Sequence, residues 1–79
     1  MRYEVIKTIV HPDGKRRVVF TCRSGKQFKF GEDYFSEEPL EQCWIPKGSR
    51  GETICDSLET AMREAKGRIK WLSEMPEAN

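Results

Sequence analysis

No apolar run in these 79 residues approaches the roughly 20 needed to cross a bilayer. The most apolar stretch near the start, Tyr3 to Val10, is interrupted by Glu4 and Lys7 and does not read as a secretory leader. Histidine occurs once and cysteine three times. An odd cysteine count excludes a fully paired disulfide framework, so the expectation is a reduced, cytoplasmic chain with no membrane partner. Cys22, Cys43, Cys55 and His11 are far apart and irregularly spaced, without a Cys-x-x-Cys or a histidine pair. That pattern does not suit a zinc site, and no metal or other cofactor is expected. Gly-x-Ser-x-Gly and His-Glu-x-x-His are also missing. His11 precedes a proline in a turn, and Glu37-Glu38 read as solvated loop charge, so no catalytic residue and no enzyme activity is expected. There is no internal repeat and no low-complexity segment.

What the chain does have is sorted charge. The first thirty residues carry Arg2, Lys7, Lys15, Arg16, Arg17, Arg23, Lys26 and Lys29 against Glu4 and Asp13. The next thirteen carry Glu32, Asp33, Glu37, Glu38 and Glu41 and no cation. From Trp44 onward the signs balance, so a net charge of +1 hides blocks of +6, −5 and 0. Opposite fields on one small body imply surfaces for charged partners. The length fits a single domain spanning residues 1–79. Such a chain buries only about 60–65% of its unfolded surface, which leaves little volume for a deep cleft.

The pattern predicts an α+β fold: a three- to four-stranded antiparallel meander, covered on one face by a single C-terminal helix. β-branched and aromatic residues fill Tyr3–Val10, and His11-Pro12-Asp13-Gly14 supplies turn chemistry. A second strand runs to Arg23 with Val18, Phe20 and Cys22 on one face and Arg17, Val19, Thr21 and Arg23 on the other. Ser24-Gly25 reads as a tight hairpin turn. The third strand, Lys26–Phe30, places Phe28 and Phe30 inward and Gln27 and Lys29 outward. The meander thus covers about residues 3–30, an acidic loop 31–41 and a connection 42–55, in which Gln42–Ile45 reads as a short fourth strand and Ile54-Cys55 as a brief extended lead. A helix over about 57–75 follows. Asp56 or Ser57 is its cap, Glu59 completes a capping box, and Pro76 ends it. Leu58, Ala61, Met62, Ala65, Ile69 and Leu72 form its apolar stripe, and Glu59–Arg63 and Glu64–Arg68 are favourable i, i+4 pairs.

Three surfaces are candidates for partner binding. The first is the outer sheet face with Arg17, Arg23, Gln27 and Lys29. The second is the acidic loop with Glu32, Asp33, Tyr34, Glu37 and Glu38, where Phe35 either joins Tyr34 in the surface or pins the loop. The third is a helix flank with Arg63, Lys66, Lys70 and Trp71. At 100° per residue Trp71 lies about 220° from Leu58, off the stripe, so it reads either as an exposed anchor or as a residue folded over the amino-terminal strand or the tail.

Gly48-Ser49-Arg50-Gly51 with Ile54 resembles the Gly-x-x-Gly loop of KH-type RNA-binding modules, although Lys47 and Pro46 depart from that pattern. The passage Gly51–Ala61 resembles the strand–cap–helix segment of three-stranded DNA-binding domains in plant ethylene-response factors and tyrosine-recombinase arms. That likeness implies an outer sheet face laid in the major groove. In size and architecture the whole chain resembles the small inhibitors of the anti-CRISPR type encoded by phages and mobile elements. That resemblance implies a binding protein docked by charged patches on a larger protein or ribonucleoprotein of bacterial defence. A nucleic-acid-binding accessory domain using the basic sheet face is the alternative.

Overall fold

Four antiparallel strands lie side by side in chain order in the computed structural model, which describes residues 2–47 and 54–75. They are β1 (Glu4–Val10), β2 (Arg16–Arg23), β3 (Gln27–Phe35) and β4 (Trp44–Pro46), followed by α1 (Leu58–Arg68) and α2 (Lys70–Glu74). The fold is therefore the expected α+β arrangement of an open four-stranded sheet with C-terminal helix. The Gly-x-x-Gly stretch 48–51 and Pro76 lie outside the described residues.

Both turns use the residues that suit them. In the first, the Gly14 amide donates to the His11 carbonyl at 2.8 Å and Gly14 takes φ +72°, a conformation open to glycine. The Lys15 amide donates to Asp13 Oδ1 at 2.8 Å, which holds the Asp13 carboxyl below its ordinary range. In the second, Ser24 and Gly25 both have positive φ, and the Lys26 amide closes the turn on the Arg23 carbonyl at 3.1 Å.

Registers decide the faces. Val10 to Lys7 pair with Arg17 to Phe20, but Val5 pairs with Thr21 and Glu4 with Cys22, so Ile6 is an extra residue in β1. This bulge moves everything amino-terminal to it onto the opposite face from the one a regular ladder would give. β3 pairs with β2 without interruption, from Arg16 opposite Tyr34 to Arg23 opposite Gln27. The strand runs to Phe35, five residues beyond its expected end, and so absorbs Glu32, Asp33 and Tyr34 from the expected acidic loop. Asp33 and Phe35 alternate with Glu32 and Tyr34 along it, and that alternation extends the ladder until Ser36.

The inner side of the sheet contributes Val18 and Phe20 to a buried cluster with Cys55, Ala61, Ala65, Ile69, Trp71 and Leu72. Ile9, Phe28, Phe30, Leu58, Met62 and Met75 pack at its margin. Phe28 and Cys55 exchange two backbone hydrogen bonds of 2.8–2.9 Å, tying the lead into α1 to the start of β3. Ser57 caps α1, its hydroxyl accepting from the Thr60 amide at 3.1 Å. With Ser57 at the cap, Thr60 and not Glu59 occupies the third helical position, so the expected capping box does not form. Glu59 lies instead 3.8 Å from Arg63, and Glu64 is 3.8 Å from Arg68.

The helix is not continuous. Ile69 adopts φ −109°, ψ 103°, an extended conformation between α1 and α2. This break resets the helical phase, so both Trp71 and Leu72 reach the core, although a continuous helix would turn Trp71 away from it.

A second, smaller cluster lies on the outer side. The Arg17 guanidinium donates through Nε to Asp33 Oδ2 at 2.8 Å and sits 4.4 Å above the Trp44 ring. Trp44 in turn meets Phe35 edge-on at 5.4 Å. Asp33 is 1% exposed, and Val19, next along the same face, is also buried. Removing one partner of a buried ion pair leaves the other uncompensated. Asp33→Asn should therefore lower the unfolding free energy by about 2–3 kcal/mol, read as a downward shift of the urea midpoint. Glu59→Ala, at an exposed pair, should cost at most about 0.5 kcal/mol. Equal costs at the two sites would show that the Arg17–Asp33 pair does not anchor β4.

Candidate binding surfaces

Apart from Lys7 in the middle of β1, the ion pairs divide the cations on and beside the sheet into two groups. Asp13–Arg16 (3.1 Å), Lys15–Glu37 (3.1 Å), Arg17–Asp33 (2.8 Å) and Lys47–Glu32 (4.0 Å) all lie toward the end of the sheet that holds the His11–Gly14 turn. At the other end, around the Ser24–Gly25 turn, stand Arg2, Arg23, Lys26 and Lys29. Among the described residues none of these four has an ion pair with a carboxylate.

This second end is organised around Tyr3. Lys29 Nζ lies 4.3 Å from the Tyr3 ring centroid and the Arg23 guanidinium 6.0 Å from it. The Tyr3 hydroxyl donates to Gln27 Oε1 at 3.2 Å. Continuing the register one step past Glu4–Cys22 sets Tyr3 opposite Arg23 on the outer face. In a ladder without the bulge, Glu4 would take that position and neutralise Arg23. Three residues of the expected sheet surface, Arg23, Gln27 and Lys29, thus come together as a cationic pole. Arg17 does not join them, because Asp33 and Trp44 hold it. Tyr3 was not foreseen, since only the bulge brings it to this face.

The acidic block is also divided. Asp33 is consumed by Arg17. Glu32 faces the other side, where the Trp71 indole N–H donates to its Oε2 at 2.8 Å. Neither is a solvated loop carboxylate as the composition suggested. Tyr34 remains exposed, and Phe35 pins the strand end against Trp44. Between β3 and β4 the chain makes an ordered turn. The Glu41 and Gln42 amides donate to the Glu38 carbonyl, the Ser36 amide donates to the Cys43 carbonyl, and the buried Ser36 hydroxyl donates to Glu41 Oε1. Glu37, paired with Lys15, and the exposed Glu38 and Glu41 flank its apex, which displays Leu40 with its full surface in solvent. An acidic pole with one apolar tip is the result. Leu40 carried no periodic signal that would have singled it out.

The expected helix surface does not form as one patch. Trp71 is buried, with His11 edge-on at 5.2 Å and the Arg16 guanidinium 5.8 Å from its ring. It is not an exposed anchor. Lys70 borders an open groove of about 480 Å³ beside Trp71, together with Arg16, Glu32, Lys47, Arg68 and Glu74. Arg63 and Lys66 lie on another flank with Glu59 and Met62. His11, expected as an exposed turn residue, is half-buried. Its Nε2 stands 3.1 Å from an Arg16 nitrogen that can only donate, so Nε2 accepts there.

The three thiols have three different environments. Cys43 is exposed, Cys22 half-buried and Cys55 buried. Among the described residues no group of three His, Cys, Asp or Glu side chains is placed to hold a metal ion, and no helix is long and apolar enough to cross a membrane. Comparison of the chain with protein-family models, with curated proteins and with solved structures returned no match.

Burial, and secondarily Glu64 and Asp56, push the Cys55 thiol above its ordinary range. The native state therefore holds this proton more tightly than the unfolded chain, and the associated stability is lost as the pH rises through the ordinary thiol range toward the raised value. A disulfide reagent at mildly alkaline pH should modify Cys43 at once and Cys55 only at the rate of unfolding. Comparable rates at Cys43 and Cys55 would contradict the core assigned to Cys55.

Proposed function

We propose that this protein is a small, non-catalytic binding module that docks on the sugar-phosphate backbone of nucleic acid through the cationic pole of its sheet. One observation carries the reading: Arg23 and Lys29 lie over Tyr3 and, like Arg2 and Lys26, have no carboxylate partner among the described residues, whereas the cations of β2 nearer the His11–Gly14 turn are neutralised. Unpaired cations on a pleated surface release counterions when they meet phosphate. The Tyr3 ring and the Gln27 amide add stacking and hydrogen-bonding capacity, the combination used by non-specific single-strand binders. The acidic pole lies at the far end of β3, so it does not oppose phosphate at this one. A compact domain seated there would obstruct the nucleic acid of a larger complex, which is the mode of action expected of a small inhibitor.

The test is titration of single- and double-stranded oligonucleotides by fluorescence anisotropy over a salt series. With about three phosphates neutralised, log K should fall against log salt with a slope of about −2 on single strands and −3 on duplex. Arg23→Glu/Lys29→Glu should abolish binding, and Arg63→Glu should leave it unchanged. No binding at low salt would overturn the nucleic-acid reading. The cationic pole would then point to an acidic protein surface, as in the inhibitor resemblance.

A further inference from the structure

The two poles complement each other, and a single molecule cannot bring its own two together. The cationic pole lies at the start of β3 and the acidic turn follows its end, nine residues away. At about 3.3 Å per residue the separation is about 30 Å. That is more than three Debye lengths at physiological ionic strength, so neither pole screens the other within one chain.

Each pole also has an exposed apolar residue beside its charges. In the register Val5–Thr21–Lys29, Val5 occupies the same outer-face row as Lys29, and it is 63% exposed. Leu40 is 100% exposed at the tip of the acidic turn. That turn is held by its own backbone hydrogen bonds and by the buried Ser36, so Leu40 is presented without an ordering cost at the moment of contact. An apolar centre with a charged rim is the anatomy of a protein interface, and here the two rims have opposite signs. A net charge of +1 means that copies of the chain do not repel one another strongly.

We infer that the protein associates head to tail with a second copy of itself, Leu40 with the neighbouring Glu38 and Glu41 seating on the Val5, Arg23 and Lys29 surface of the next molecule. The contact joins two different surfaces, so it is heterologous and each end remains open to another copy. The inference stands apart from the nucleic-acid reading, although nucleic acid at the cationic pole would compete with the neighbouring copy.

Sedimentation velocity tests it. The wild-type protein should form a concentration-dependent series of species at about 0.01 M salt and return to monomer at about 1 M, where the Debye length falls to about 3 Å. Arg23→Gln/Lys29→Gln has a neutralised cationic pole and an intact acidic one. Glu38→Gln/Glu41→Gln has the reverse, and the glutamine amide at position 41 keeps an oxygen that can accept from the Ser36 hydroxyl. Each alone should be monomeric at low salt, and an equimolar mixture should form a 1:1 dimer that does not extend. Adding Leu40→Ser to the first variant should weaken that mixed dimer about tenfold, the loss expected from one buried leucine. Leucine 40 is fully exposed, so this change leaves the monomer fold intact, as circular dichroism can verify. The proposal is overturned if the wild type stays monomeric at low salt, if either charge-neutralised variant still associates alone, or if Leu40→Ser leaves the mixed dimer unchanged. Oligonucleotide binding by Glu38→Gln/Glu41→Gln reports on the nucleic-acid reading separately, because that variant keeps the cationic pole and adds no new cation.

Discussion

The single extra residue in β1 determines what this sheet presents to solvent. Ile6 lies between Val5, opposite Thr21, and Lys7, opposite Phe20. Because side chains alternate with a period of two, one inserted residue exchanges the faces of everything before it. Glu4 leaves the outer face, Tyr3 takes its place opposite Arg23, and Val5 becomes the exposed neighbour of the Thr21–Lys29 pair. The cationic pole exists because the carboxylate that would have quenched it points the other way. The bulge has a second consequence. β1 is an edge strand with Val5, Ile6 and Val10 all exposed, and an irregular edge resists indiscriminate pairing with other strands.

The rest of the molecule uses its charge internally. Arg17 and Asp33 lock the outer side of β2 and β3, with Trp44 stacked on the guanidinium and Phe35 behind it. Glu32 accepts the Trp71 N–H on the inner side, where His11 and Arg16 also close on the indole. These contacts lie near the His11–Gly14 turn and attach both β4 and α2 to the sheet. Hydrophobic burial alone is modest in a chain of 79 residues. Polar side chains that double as packing elements supply anchorage that the small aliphatic core does not.

Much of the fold was legible in the sequence because its signals are local. The turn residues at 11–14 and 24–25, the alternation in β2 and β3, and the three- and four-residue spacing from Leu58 to Leu72 each encode geometry over a few positions. The bulge has no short-range mark in the sequence, whereas the helix break at Ile69 follows Gly67, a weak helix former, and the extension of β3 to Phe35 follows an alternation of charged and aromatic residues that also suits a loop. Those three features account for the site residues that moved. The break at Ile69 turns Trp71 from a candidate anchor into core. The longer β3 withdraws Glu32 and Asp33 from the acidic surface, and the bulge adds Tyr3 to the basic one. Arg23, Gln27 and Lys29 share the outer face, as the alternation implied, because the β2–β3 register follows directly from a tight turn. Glu37 and Glu38 stayed on the surface because no element claims them.

Neutralised, structural charges and unpaired cations thus lie at opposite ends of one sheet. The end near His11 spends its carboxylates on Arg16, Arg17 and Trp71, and reversing a charge there exposes an uncompensated buried group. The end near Ser24–Gly25 has cations that no described ion pair engages. A change at Arg23 or Lys29 should therefore have little effect on stability, while a change at Asp33 breaks a buried pair. That separation follows from where the carboxylates fall after the bulge and the longer β3 have set the registers. The charge blocks in the sequence describe composition only. The sheet converts them into one neutralised, structural end, one free cationic pole and, beyond Phe35, an acidic turn with Leu40 at its tip.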